Sequence, residues 1–120
     1  MKLANFSTGN NYLDPSIENY VMHGLQPGGF LTAVIMGDSV EAKARADHWN
    51  RLDLSRIMAL VDCYLPPAAK GSYQAVTDWI KDVDNRRTNY VAEVEKQRVL
   101  DRLGGEMYDN YLVKQYDHNY

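Results

Sequence analysis

The chain has 120 residues, 45% of them hydrophobic and 24% charged, which suits one folded domain with a modest core and argues against general disorder. Its net charge of −3 opposes broad binding to DNA or RNA, which depends on Lys and Arg neutralising phosphates. The single cysteine, Cys63, excludes an intramolecular disulfide; with no signal-peptide pattern and no run of ~18 apolar residues, a cytoplasmic protein with no membrane partner is expected.

Residues 1–13, rich in Asn, Ser, Thr and Gly, are expected to form a flexible N-terminal arm. Asp14-Pro15 then supplies an N-cap acceptor and a preset φ for a first short helix, on which Ile17, Tyr20 and Val21 share a face. His23-Gly24-Leu25 stops it, with Gly24 left-handed and Leu25 folded back on the last turn. After the Pro27-Gly28-Gly29 corner, a second short helix from Gly29 to Met36 carries Phe30, Leu31, Val34 and Ile35 at helical spacing, and Gly37 ends it. Asp38-Ser39-Val40-Glu41 spells a capping box, with Asp38 as cap and Glu41 reaching back to the cap's amide.

From that box one long central helix is expected to run to Leu65, its apolar stripe passing through Ala42, Ala46, Trp49, Leu54, Ile57, Met58 and Val61. Pro66-Pro67 stops it, since proline lacks the amide proton and restricts the residue before it. Ser72 restarts the chain as an N-cap, and Val76, Trp79, Ile80 and Val83 form the stripe of a helix packed back on the long one. Between Asp84 and Thr88 the pattern allows either a continuing helix or a new cap at Thr88. Residues 90–103 are helical again, Gly104-Gly105 ends that helix, and Tyr108, Tyr111, Leu112 and Tyr116 give the last segment the character of an aromatic docking tail. The expected fold is all-α: two short N-terminal helices, one long central helix and a C-terminal helical extension, divided into an arm (1–13), a core domain (14–83) and the extension (84–120).

Catalysis finds little support. His23, His48 and His118 stand far apart, no nucleophile motif is present, and there is no HExxH or CxxC pair, so no enzyme, catalytic residue, metal or cofactor is expected. Cys63, beside Val61 and Tyr64, reads as a buried, inert thiol. Binding features remain. Gly28 and Gly29 leave the first amides of a helix bare, where an anion can dock, although the same string also serves as a plain helix-helix corner. Asp47 and Asn50, three apart at the border of the apolar stripe, are expected as a structural polar pair, either bracing the corner through its amides or lying on a solvated face. Tyr20 offers a ring that can stack on a base, and Lys43, Arg45 and Lys70 offer cations for phosphate.

Taken together, Tyr20, His23-Gly24, Pro27-Gly28-Gly29-Phe30-Leu31-Thr32-Ala33-Val34, Arg45-Ala46-Asp47 with Asn50, Leu65-Pro66, and Gly71-Ser72 with Trp79 resemble the phage anti-CBASS sponges, small proteins that bind cyclic oligonucleotide messengers. The resemblance spans about residues 15–82 and leaves 83–120 outside it; Lys70 departs from it, standing where the family carries an aromatic residue before Gly-Ser. It implies a small helical unit assembled as a homo-oligomer, a hexamer, in the cytoplasm of an infected bacterial host. Cyclic di- and trinucleotides would sit between subunits and be held intact, away from the immune effectors that need them. The implied ligand set is Tyr20, Gly28, Gly29, Phe30, Thr32, Arg45 and Lys70, with Tyr20 and a cation presented twice to a cyclic dinucleotide and the Gly28-Gly29 turn with Thr32 taking a trinucleotide. The contrasting expectation is a small helical structural or adaptor protein that acts through protein contacts.

Overall fold

A computed structural model of the protein describes residues 7–10 and 12–118, those from 104 onward by their backbone alone. All regular structure among the described residues is helical: α1 (Leu13–His23), α2 (Gly29–Met36), α3 (Ser39–Arg45), α4 (His48–Leu52), α5 (Leu54–Tyr64), α6 (Tyr73–Ile80) and α7 (Arg86–His118), with single 3₁₀ turns at Pro67–Ala69 and Val83–Asn85. The all-α expectation therefore holds.

α2 is apolar almost all round, and Leu31, Ala33, Val34 and Ile35 are buried, so it must lie inside a ring of other elements. It packs against α3, α5 and α6. Ile17, Tyr20 and Val21 of α1 are completely enclosed, as are Ala42 of α3 and Ala69 of the 3₁₀ turn. Two aromatic side chains cross-link this core through their polar tips. The Tyr20 hydroxyl donates to the Ala69 carbonyl at 2.7 Å, and Trp79 Nε1 donates to the Val21 carbonyl at 3.1 Å. A buried aromatic whose polar atom is satisfied keeps its full apolar contribution, about 2–3 kcal/mol each.

Helix ends follow the sequence signals at several points. Gly24 takes the left-handed conformation (φ 67°) and donates to Tyr20 O, while Leu25 N–H donates to Asn19 O, although the Leu25 side chain stays exposed. Gly24 is required for space as well, because a Cβ there would lie 2.6 Å from Nε of Arg87. Ser72 caps α6 by accepting from the Ala75 amide at 3.0 Å.

Other expectations are corrected. Asp14 is not the cap of α1: Asn10 Oδ1 accepts from the Tyr12 and Leu13 amides, so the helix starts earlier and the Asp14 carboxylate is left for the arm. It accepts from Ser7 Oγ, Thr8 N–H and Thr8 Oγ1 at 2.6–2.8 Å, and Arg56 donates to the Thr8 carbonyl. Thr8 is fully buried, so the part of the arm from Ser7 to Asn10 is fastened to the body. The capping box is half made. Asp38 accepts from the Glu41 amide at 3.0 Å, but the Asp38 amide is already used by the Ala33 carbonyl, which leaves Glu41 to pair elsewhere.

The long central helix is three helices. Ala46 is extended (ψ 137°), and Asp47 re-caps the chain by accepting from the Asn50 amide at 2.8 Å. Asp53 then separates α4 from α5. The break rotates Trp49 out of the stripe, leaving it 75% exposed. Cys63 is exposed rather than buried. After α6 the backbone turns through three left-handed residues, Asp82, Asp84 and Asn85, and α7 restarts at Arg86 instead of being capped at Thr88. Asp82 accepts from both the amide and the hydroxyl of Thr88. Gly104-Gly105 does not end α7, which runs on through it.

Candidate functional site

The corner between α1 and α2 is residues 24–28, and the turn at Gly37-Asp38 packs α3 back against α2. Gly28 precedes α2 in extended conformation and supplies no side-chain cap, so the first amides of α2 have neither an intrahelical partner nor a capping side chain. Arg45, at the end of α3, lays its guanidinium across Gly29: a Cβ at that position would stand 2.6 Å from Nη1. A side chain at Gly29 would therefore push the flexible Arg45 guanidinium aside, whereas a Cβ at Gly28 would meet nothing within 4 Å.

Gln26, Pro27, Gly29, Thr32, Ala33, Met36, Glu41 and Arg45 together line an open concavity of about 330 Å³. Thr32 is fixed at its floor, where its hydroxyl donates to the Pro27 carbonyl at 3.2 Å and accepts from Gln26 Nε2 at 3.1 Å. Arg45 Nε donates to Glu41 Oε1 at 2.5 Å, and this pair, at i and i+4 on α3, aims the Nη groups toward Gly29. Bare helix amides and a guanidinium facing one hollow form a site suited to an anion, while the Thr32 hydroxyl, its hydrogen given to Pro27, shapes the wall.

The structure brings together some of the expected ligand residues and separates others. Gly29, Thr32 and Arg45 meet in this hollow, whereas Gly28 is exposed and is not part of its lining. Phe30 turns inward against the core cluster. Tyr20 is corrected from ligand contact to core residue: its ring is 0% exposed, and burial pushes its hydroxyl pKa well above the usual tyrosine value. Lys70 lies on another side of α2, where it donates to the Asp62 carbonyl at the C-terminal end of α5 and faces the Asp62 carboxylate at 3.6 Å. There it borders a second hollow of about 310 Å³ walled by Val34, Ile35, Met58 and Val61.

Asp47 and Asn50 do not brace the corner. Asp47 caps its own helix, and Asn50 Oδ1 accepts from Asn10 Nδ2 at 3.4 Å, tying α4 to the arm. Their role is structural, but at a different place. Sequence reasoning missed Gln26 and Glu41 as members of the site. Glu41 carried a signal, its i, i+4 spacing to Arg45; Gln26 carried none.

Among the described residues, no group of three or more His, Cys, Asp or Glu stands in metal-binding range, and no helix is long and apolar enough to cross a membrane. Comparison with known proteins gives no matching family model, no matching curated protein and no matching solved structure.

Proposed function

We propose that this protein binds cyclic oligonucleotides and sequesters them without cleaving them, and that a ligand phosphate docks at the α2 corner. The observation that supports this reading is the Arg45 guanidinium laid over Gly29, beside the uncapped amides of α2. Phosphodiester oxygens accept from guanidinium and backbone amides in this arrangement, and such charge-assisted bonds are the strong ones. The resemblance to the phage anti-CBASS sponges supplies the rest of the reading: action in the cytoplasm of an infected bacterium, where immune messengers are kept from their effectors.

At about 330 Å³ the hollow stands at the low end of small-molecule sites. It takes a phosphate and its ribose, so the remainder of a cyclic di- or trinucleotide is covered by a neighbouring subunit of a homo-oligomer, hexameric in the family resembled. Tyr20 and Lys70 drop out of the ligand set, one enclosed in the core and the other committed to the end of α5.

Calorimetry against a panel of cyclic di- and trinucleotides tests this, with chromatography of the ligand released on denaturation. The expected result is binding below micromolar concentration, recovery of the ligand intact, and a loss of about tenfold or more in affinity for Arg45→Ala, the worth of a hydrogen bond to a charged group. Absence of binding at micromolar protein overturns the reading, and a degraded ligand replaces sequestration with hydrolysis. A second reading, an adaptor acting through protein contacts, is favoured by Trp49 and Leu52 of α4, which stand 75% and 71% exposed. That protein would ignore the nucleotide panel altogether.

A further inference from the structure

Between Arg86 and Leu103 of α7 only Val94 is buried, whereas Leu31, Ala33, Val34 and Ile35 are all buried in the much shorter α2. Tyr90 and Val91 pack half-buried against the core, and Arg98 reaches Glu18 of α1 at 3.2 Å. That ion pair lies at the surface, its side chains 36% and 50% exposed, and such pairs add little hold. The root of α7 is tied more firmly. Asp82 accepts from the Thr88 amide and hydroxyl, and Arg87, which lies against Gly24, donates to the Trp79 and Ile80 carbonyls. All of these ties act on residues 87 and 88, so they fix the root and leave the length of the helix to Tyr90, Val91, Val94 and the Arg98 pair.

Two observations show that this length is seated at a cost. The Tyr90 hydroxyl is the one buried side-chain polar atom among the described residues that has no hydrogen-bond partner in the protein. Its ring stands edge-on to Trp79, with centroids 5.7 Å apart, but the donors around it are committed: the Trp79 indole N–H to the Val21 carbonyl, and Arg98 to Glu18 and Glu95. A hydroxyl that gives up water without a substitute works against the contact that buries it. The joint between α6 and α7 is also left-handed at Asp82, Asp84 and Asn85 (φ 57°, 55° and 58°), a conformation that residues other than glycine hold at a cost.

We infer that α7 is a strap: residues 89–103 lift from α1 and α6 as a unit while the body stays folded, and the Tyr90 hydroxyl is what weakens the seat. Lifting returns that hydroxyl to water, breaks one surface ion pair and uncovers a single fully packed side chain, Val94. Segments with so few buried apolar contacts are the ones that open below the threshold of global unfolding. The open form bares the Trp79 edge of α6, which the closed form hides under Tyr90. The inference is independent of the nucleotide reading, because it uses no residue of the α2 corner.

Hydrogen exchange on the full chain tests it, read by mass on peptides covering 29–36 and 89–103 and corrected for intrinsic rates. In the unmodified protein the 89–103 amides are expected to exchange about a hundredfold faster than those of α2. Tyr90→Phe keeps the ring and removes the stranded hydroxyl, so it is expected to slow exchange at 89–103 about tenfold. Val94→Ala is expected to speed it about tenfold through lost burial. Val61→Ala, in α5 where that helix packs on α2, is expected to speed exchange in α2 and leave 89–103 unchanged, the mark of an opening that does not involve the body. Unchanged or faster exchange in Tyr90→Phe overturns the role of the hydroxyl. Equal protection of the two peptides, or acceleration of both by Val61→Ala, overturns the strap.

Discussion

Arg45 and Lys70 approach α2 from different sides, and the two hollows they border are almost the same size, about 330 and 310 Å³. On the Arg45 side the cation, although paired with Glu41 at 2.5 Å, lies over a glycine and a row of uncapped amides whose field adds to its own. On the Lys70 side the cation is absorbed by the carbonyl end of α5 and an adjacent carboxylate, and the rest of the wall is hydrocarbon. Equal volume and equal formal charge thus give one hollow that can attract an anion and one that cannot. What decides is the sign of the helix terminus facing the cation: an amide end reinforces it, and a carbonyl end neutralises it.

The largest expected effect separates this surface chemistry from the core beneath it. Tyr20→Ala should destabilise the fold by about 3–5 kcal/mol, as for other large aromatics cut back in a core, while Tyr20→Phe should cost only about 1 kcal/mol for its lost hydrogen bond. Chemical denaturation measures both. A Tyr20→Phe protein that folds normally yet no longer binds cyclic nucleotide would return the Tyr20 hydroxyl to the ligand.

Arg45→Ala comes next. It should weaken ligand binding by about 1.5–3 kcal/mol and leave the denaturation midpoint nearly unchanged, because Arg45 is more than half exposed and its ion pair with Glu41 is a surface one. A smaller effect lies at the arm. Burial would raise the Asp14 pKa, but hydrogen bonds from the Thr8 hydroxyl and amide and from Ser7, with the Arg56 charge, outweigh it and hold it below the usual range. A carboxyl with a lowered folded pKa contributes stability above its unfolded value of ~3.9, lost as pH falls through the folded one. The melting temperature should therefore hold from neutral pH to about 5 and fall in stronger acid, and Asp14→Asn should flatten that acid limb in a pH series of melting curves. The smallest effect should come from Lys70→Met, a few tenths to about 1 kcal/mol of stability from the end of α5 with no change in nucleotide affinity. An affinity loss equal to that of Arg45→Ala would abolish the contrast between the two sides.

Much of this fold was legible because its signals are local. Gly24, Gly37, Asp38, Ser72 and the Pro66-Pro67 pair announce their turns through φ limits and side-chain acceptors that act within four residues. The break at Ala46-Asp47 was not legible. Arg45, Ala46 and Trp49 are compatible with a helix, the apolar spacing runs on across the break, and Asp47 as an N-cap looks no different in sequence from a polar residue on a helix face. Placing Trp49 on the apolar stripe followed from that one missed boundary. At the site, the glycines were legible as bare backbone, but the residue lying over them was not. Arg45 reaches Gly29 only because α3 doubles back at Gly37-Asp38, a long-range consequence that no spacing rule contains.

The half-made capping box leaves a carboxylate inside the hollow, and if the proposed phosphate docks there that carboxylate bears on its charge. Glu41 holds Arg45 through Nε, so whatever binds the Nη groups does so beside a fixed negative charge. A phosphate monoester arrives as a dianion near neutral pH, whereas a phosphodiester carries one charge per phosphorus, and Coulomb repulsion from Glu41 weighs about twice as heavily on the former. Linear mononucleotides, with terminal monoesters, are the abundant competitors of any cyclic messenger. Under the proposed reading, a corner with Arg45 alone would favour them, and Glu41 alongside takes that preference away, since the pair's attraction and repulsion both scale with ligand charge.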